Sequence, residues 1–277
     1  MQQQAVECRF ASSDSWVILS PIEQSIKQKI DTIGTPLKDW NINIYRGVLT
    51  GYNDAFIIST EKRNEILANC QTEDERTRTA ELIRPILRGR DIKRYAYNWA
   101  GLYLIATFPS RHYDIEMYPA VKQYLLTFGI EKLEQTGKAY IVNGEKIKAR
   151  KKTNNKWFEI QDSISYWEDF SKPKIVWGNL NLTPNYALVE NNSFINAPSS
   201  MIVPASKYLL AILNSKIADF YIKLLGVTRN GGYFEYKPMF IEQLPIPQLK
   251  IENKELAQIE RLIAVSYTHL RAHETGA

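Results

Sequence analysis

The chain has 277 residues, of which 44% are hydrophobic and 23% charged, and 35 Lys and Arg against 30 Asp and Glu give it a net charge of +5. That length allows an ample core in one large or two small domains, and the basic balance suits an anionic partner without identifying one. No apolar run approaches the roughly 18 residues of a membrane span, Met1-Gln2-Gln3-Gln4 is not a signal peptide, and Cys8 and Cys70 make neither a CxxC pair nor a zinc spacing. A soluble cytoplasmic protein with two reduced, core-packed thiols is expected.

Ser20-Pro21-Ile22-Glu23 reads as a capping box with proline at the first helical position. Ile22, Ile26, Ile30 and Ile33 then repeat at helical spacing, which predicts a helix with one buried face, stopped by Gly34 and Pro36. Residues 41–46 predict a strand feeding a glycine turn, and 55–59 a strand leaving it. Residues 61–70 and 73–83 read as helices, ended by Pro85 and Gly89. The nearly continuous apolar run 102–108 predicts a strand buried on both faces, and 118–128 a helix opening on Pro119.

Asn143-Gly144 stands between two β-prone stretches and predicts a hairpin with a type I′ turn. On its second strand Lys146, Lys148 and Arg150 alternate with Ile147 and Ala149, giving one cationic and one apolar face. Lys174-Ile175-Val176-Trp177 and Tyr186-Ala187-Leu188-Val189 are further strands, joined by the polar turn 178–185. Ser206 caps a helix running to Leu213, 217–225 continues as a second, 244–247 is extended, and 253–264 is a terminal helix. Short strands interspersed with helices predict an α+β fold of mixed sheets with peripheral helices.

The motifs of several enzyme classes are absent. Neither GxGxxG nor GxxxxGK[ST] occurs. Asn-Pro-Pro-Tyr is also missing, and Leu182-Thr183-Pro184-Asn185-Tyr186 holds related residues in another order. Glu252-Asn253-Lys254 has no Pro-Asp upstream to complete a metal-dependent nuclease centre. His112 has no adjacent nucleophile, and His269 and His273 lack a third ligand. The chain is expected to hold no catalytic residues, cofactor or metal of its own.

What stands out instead is cations and amides on glycine turns. Arg46, Thr50 and Asn53 flank the turn at Gly47 and Gly51, and Arg88, Arg90, Lys93 and Arg94 follow Pro85. Glycine lets the backbone approach a partner closely, while Arg and Asn side chains pair with phosphates and base edges. The densest run is Lys146, Lys148, Arg150, Lys151, Lys152 and Lys156, and Arg229-Asn230-Gly231-Gly232-Tyr233 is a second loop of the same character. Two readings of the run stay open: a solvated hairpin and a DNA contact. Arg88 or Arg90 has a structural rival in pairing with Asp91, Asn154 and Asn155 are candidates for pairing with adenine, and Trp157 reads as a core anchor.

In order along the chain, Gly47-Val48-Leu49-Thr50-Gly51-Tyr52-Asn53-Asp54-Ala55-Phe56, Arg84-Pro85-Ile86-Leu87-Arg88-Gly89-Arg90-Asp91-Ile92, Lys174-Ile175-Val176-Trp177, Leu213-Asn214-Ser215 and Leu244-Pro245-Ile246-Pro247 resemble the TaqI-like specificity domain of adenine-specific DNA methyltransferases. The resemblance covers roughly residues 20–250, and the order of the motifs makes it more specific than any one of them. It implies a target-recognition domain that binds double-stranded DNA and follows a methyltransferase domain using S-adenosylmethionine. The family's catalytic Asn-Pro-Pro-Tyr and cofactor-binding glycines belong to that upstream domain. Residues 1–20 are then the end of a truncated preceding domain and 21–264 the recognition domain. Residues 265–277 resemble translated adapter read-through and are set aside as non-native. The parent would be a restriction–modification, type IIG or phage-defence enzyme. The rival expectations are a self-sufficient type IIG endonuclease/methyltransferase fragment with degenerate motifs and a non-catalytic interaction subunit.

Overall fold

Burial of both faces of one antiparallel sheet organises the chain. In the computed structural model the described residues are 19–226, 228–248, 258, 261 and 262. The strands Tyr186–Val189, Lys174–Trp177, Ser200–Val203 and Asn43–Arg46 lie in that spatial order, every neighbouring pair antiparallel. Successive side chains of a strand point to opposite faces. Val176, Ala187, Val189, Met201 and Val203 therefore enter one core, while Ile175, Trp177, Tyr186, Leu188 and Ile202 enter another. Double burial is why 175–177 and 186–189 are continuous apolar runs.

A second four-stranded sheet closes the first core, in the order Phe194–Ile195, Ile83–Leu87, Leu102–Ile105, Ile57–Ser59. Its first pair is parallel and the others antiparallel, so the sheet is mixed. The helices Thr60–Ala68, Glu73–Leu82 and Pro119–Leu126 pack around it. The helices Lys207–Leu213, Lys216–Leu225 and Pro238–Ile241 cover the other face of the central sheet, with Leu37, Leu244 and Ile246 filling their base. The architecture is α+β, with mixed sheets and peripheral helices.

Local chemistry explains several boundaries. The capping box forms: the Glu23 N–H donates to Ser20 Oγ at 3.3 Å and the Ser20 N–H to Glu23 Oε2 at 2.7 Å, starting a helix over Pro21–Ile33. Hydrogen bonding from Ser20, its backbone N–H foremost, holds the Glu23 carboxyl below its ordinary range. The hairpin pairs Ala139–Val142 with Glu145–Lys148, and Asn143 at φ 51° with Gly144 at φ 83° supplies the two positive values that a type I′ turn requires. Lys174 opens its strand fully buried, donating to the carbonyls of Phe170 at 2.6 Å and Asn191 at 2.8 Å. Burial pushes its ammonium down to about 8.

Four expectations need correction. The helix Pro21–Ile33 buries no residue: Ile22 is 73% and Ile33 59% exposed, and Ile30 alone of the four isoleucines packs against the second core. Asn53–Phe56 is a helical turn, so the strand expected from 55 begins at Ile57. The strand from Leu102 ends at Ile105, because its partner strand begins at Ile83 and Leu82 still belongs to the preceding helix; the Ala106 amide reaches the Leu82 carbonyl, and 106–108 stay buried beyond the strand. Cys70 is half-buried at the edge of the first core. Cys8, His269, His273, the 265–277 tail and most of the expected terminal helix lie outside the described residues; Gln258, Arg261 and Leu262 are helical. Among the described residues no helix is long and apolar enough to cross a membrane.

The packing ranks two substitutions. Trp177 is fully buried and its indole N–H donates to the Tyr236 carbonyl at 2.6 Å. Trp177→Ala is expected to lower unfolding stability by about 3–5 kcal/mol in a urea titration, and Ile22→Ala to leave the midpoint nearly unchanged.

Candidate nucleic-acid interface

Arg46, Ser200, Trp177 and Tyr186 pair across the central sheet in one row. Just beyond that row, at one end of the sheet, lie Gly47, Ser199, Gly178 and Asn185. The Gly47 amide donates to the Ser199 carbonyl at 2.7 Å, the Val48 amide to the Ile195 carbonyl at 2.7 Å, and the Ala197 amide back to Val48 at 2.9 Å. A Cβ on Gly47 would stand 2.5 Å from the Ile195 carbonyl oxygen, so a side chain there would force the two backbones apart. The second glycine segment reaches the same place: a Cβ on Gly89 would lie 3.0 Å from Ser199 Oγ and 3.5 Å from the Gly178 Cα. The two segments, distant in sequence, thus converge on the loops at one sheet end.

Arg46 is half-exposed there, its Nη2 donating to Asp162 Oδ1 at 2.9 Å. The other Asp162 oxygen accepts the Leu49 amide at 2.8 Å, so one carboxylate holds both the cation and the turn. Tyr166 stacks on Tyr45, ring centroids 4.0 Å apart, and donates its hydroxyl to the Arg46 carbonyl at 3.0 Å. Sequence reasoning missed Asp162 and Tyr166, because nothing local marks residues that meet this turn across more than a hundred positions.

Arg88 is tied to Asp91: Nε and Nη2 donate to the two carboxylate oxygens at 3.0 and 2.7 Å, and hydrogen bonding to Asp91 raises the guanidinium above its ordinary range. Its structural reading holds, with a quarter of the side chain exposed. Arg90 and Lys93 are exposed, without an ion pair among the described residues. Arg94 is exposed, donates to the Asn214 carbonyl at 3.0 Å, and lies 5.2 Å from the Tyr95 ring centre. Arg229 pairs with Glu235 at 2.9 Å beside exposed Asn230. Phe234–Glu235 pairs with Leu180–Asn181, two residues past Gly178, which brings this loop to the same sheet end.

Three candidates are corrected. Thr50 is fully buried and donates to Asn53 Oδ1 at 2.7 Å while accepting the Tyr52 amide at 3.2 Å, so its hydroxyl shapes the turn; Asn53 is exposed. Arg150 lies past the hairpin strand, 5% exposed, and donates to the carbonyls of Leu133, Thr50, Glu159 and Trp157 at 2.6–3.2 Å. Its guanidinium sits 5.0 Å from the Phe56 ring centre, and burial lowers it to about 10. It is an internal tie between the hairpin base and the glycine turn, out of reach of a phosphate. Asn155 likewise spends its amide on the Ile160 and Gln161 carbonyls, and Trp157 packs against the first core. Lys146, Lys148, Lys151 and Lys152 are exposed on or beside the hairpin.

A family model described as the TaqI-like C-terminal specificity domain matches residues 84–246. The match takes in the second glycine segment, the hairpin and the central strands from Lys174, and begins after the first glycine segment. The type II methyltransferase M.XhoI of Xanthomonas vasicola is 21% identical over 265 residues, which is 92% of this chain and 43% of that protein. Two solved structures share the fold. The type IIL restriction–modification enzyme MmeI, solved in complex with DNA, has a TM-score of 0.56 at 12% identity, covering 87% of this chain and 29% of that one. The type IIG restriction endonuclease BpuSI has a TM-score of 0.55 at 13% identity, covering 89% and 28%. The chain spans less than half the length of each of these relatives.

The tie made by Arg150 is open to test. Arg150→Ala leaves four carbonyls without that donor and is expected to cost roughly 3 kcal/mol in chemical denaturation, whereas Lys148→Ala leaves the unfolding midpoint unchanged. Equal midpoints for the two variants would contradict the assignment of Arg150 to the interior.

Proposed function

The chain belongs to the TaqI-like C-terminal specificity domain family, and from that premise we propose that it is the double-stranded-DNA target-recognition module of a restriction–modification methyltransferase acting on adenine N6. The observation that carries this reading is the convergence of both glycine segments on one sheet end, with Arg46 at the end of its strand and Arg88, Arg90, Arg94, Arg229 and Asn230 on the surrounding loops. Backbone without side chains gives a duplex close access, and the side chains around it are those that read base edges and grip phosphates.

In this reading Arg90, Arg94 and Arg229 supply donors to guanine edges or phosphates, and Asn53 and Asn230 offer paired amide groups to adenine. The exposed Lys146, Lys148, Lys151 and Lys152 extend the contact along the backbone. The target adenine is turned out of the stack into the methyltransferase domain while this chain holds the flanking duplex. S-adenosylmethionine belongs to that accompanying domain. Two features support the assignment: the sequence has no glycine-rich strand-to-helix turn, and the central sheet is antiparallel, without the parallel switch point at which such cofactors bind. No methyl-transfer step is routed through the residues of this chain. A restriction or phage-defence role in the cytoplasm follows from the same reading.

Binding of the 277-residue chain to a randomised duplex pool, measured against salt, tests the proposal. Alanine at Lys146, Lys148, Lys151 and Lys152 together is expected to flatten the log–log salt dependence by up to about 0.9 per lost phosphate contact while the selected sequence stays the same. Arg90→Ala is expected to relax selection at one base pair by about 1–3 kcal/mol. Absence of duplex binding at low salt would overturn the reading.

A further inference from the structure

A cleft of about 460 Å³ opens beside the sheet-end loops, lined by Arg94, Thr183, Pro184, Asn214, Ser215, Lys216, Asp219 and Phe220. Four of these matter chemically, and Thr183, Ser215 and Lys216 fall outside every basic segment singled out from the sequence. Resting on the DNA-recognition reading, we propose that this cleft seats one backbone phosphodiester of the bound duplex. Arg94 and Lys216 supply the charge, and Thr183 and Ser215 the hydroxyl donors.

The cleft is built on the central sheet through Asn214. Asn214 is buried, and its side chain zips onto Tyr186 as a strand would: the Tyr186 amide donates to Asn214 Oδ1 at 3.1 Å and Asn214 Nδ2 to the Tyr186 carbonyl at 2.9 Å. The Asn214 carbonyl then accepts Arg94 Nη2 at 3.0 Å, which fixes the guanidinium at the cleft while leaving its other N–H groups to donate. Ser215 Oγ accepts the Ala218 amide at 3.1 Å, so its own proton remains available. Lys216 is exposed, without an ion pair among the described residues.

The one carboxylate in the lining does not oppose an anion. Asp219 Oδ2 is paired with Lys223 at 2.8 Å and Oδ1 accepts the Tyr236 hydroxyl at 2.7 Å. Two cations therefore face the cleft against one neutralised acid, and Pro184 and Phe220 add apolar wall suited to the sugar next to a phosphate. Thr183 and Pro184 lie on the 178–185 loop that carries Gly178, so a phosphate held here is continuous with a duplex lying over the converged glycines.

The test uses the 277-residue chain with its preferred duplex, followed by fluorescence anisotropy across a salt series. Lys216→Gln is expected to lower the log–log salt slope by about 0.9 with the selected sequence unchanged. Thr183→Val is expected to weaken binding about tenfold at constant slope. Duplexes carrying a neutral methylphosphonate at one position at a time should include one on which wild type and Lys216→Gln bind alike. Thermal unfolding of both variants should match wild type, since neither side chain is buried in a core. Unaltered slope and affinity in both variants, with wild-type binding intact, would overturn the phosphate seat and leave the DNA reading standing. Saturable binding of inorganic phosphate that Lys216→Gln removes without touching duplex affinity would mark a free-anion site and overturn it equally. Failure of the wild-type chain to bind any duplex would instead sink the reading beneath it.

Discussion

The contact on which the arrangement depends is backbone against backbone at Gly47, where a single added carbon would meet the Ile195 carbonyl at 2.5 Å. That closeness allows three amide–carbonyl bonds to stitch the first glycine turn to 195–199. Ser199 in turn lies against Gly89, and Gly89 against Gly178. Segments that the sequence sets far apart are thereby held on loops sharing one end of a sheet buried on both faces. A sheet so enclosed is a rigid mount, and the loops inherit its position although they lie outside its hydrogen-bond ladder.

Charge alone does not describe the surface that results. Arg150 and Lys174 are both cationic side chains in basic or strand-forming surroundings, yet each is turned inward and satisfied by main-chain carbonyls. Arg88 is held by Asp91 through two nitrogens, and Arg46 by Asp162 through one. Around the sheet end, Arg90, Arg94, Lys93, the hairpin lysines and Lys216 at the cleft have donors to spare. The paired arginines keep the turns in shape, and the unpaired cations face outward. A partner that is read by shape as well as charge requires both kinds of residue.

Much of the fold was legible because its signals are local. The Ser20 capping box, the Gly34 stop after the first helix, the Asn143-Gly144 turn, and the apolar strands 174–177 and 186–189 all form as their sequence indicates, whereas Pro85, read as a helix stop, sits inside the strand Ile83–Leu87. The α+β class follows from their succession. What was not legible is long-range. Whether the isoleucine stripe of Pro21–Ile33 finds a core is decided by neighbours, and it meets one at Ile30 alone. Alternation along the hairpin placed Arg150 beside Lys148, but the strand ends at Lys148 and Arg150, just beyond it, lies in the interior. At the candidate interface the glycine segments and their arginines could be named in advance. Asp162, Tyr166, Thr183 and Lys216 could not, since each joins the surface through contacts with no counterpart in the local pattern.

The most direct examination of one continuous recognition surface is hydrogen exchange of the chain with and without its preferred duplex. Added DNA should slow exchange together in 47–51, 88–94, 178–185 and 229–233, and leave the helices Thr60–Ala68 and Pro119–Leu126 as they were. Protection confined to those helices, or spread without preference over the chain, would contradict the convergence of these loops into a DNA-reading face.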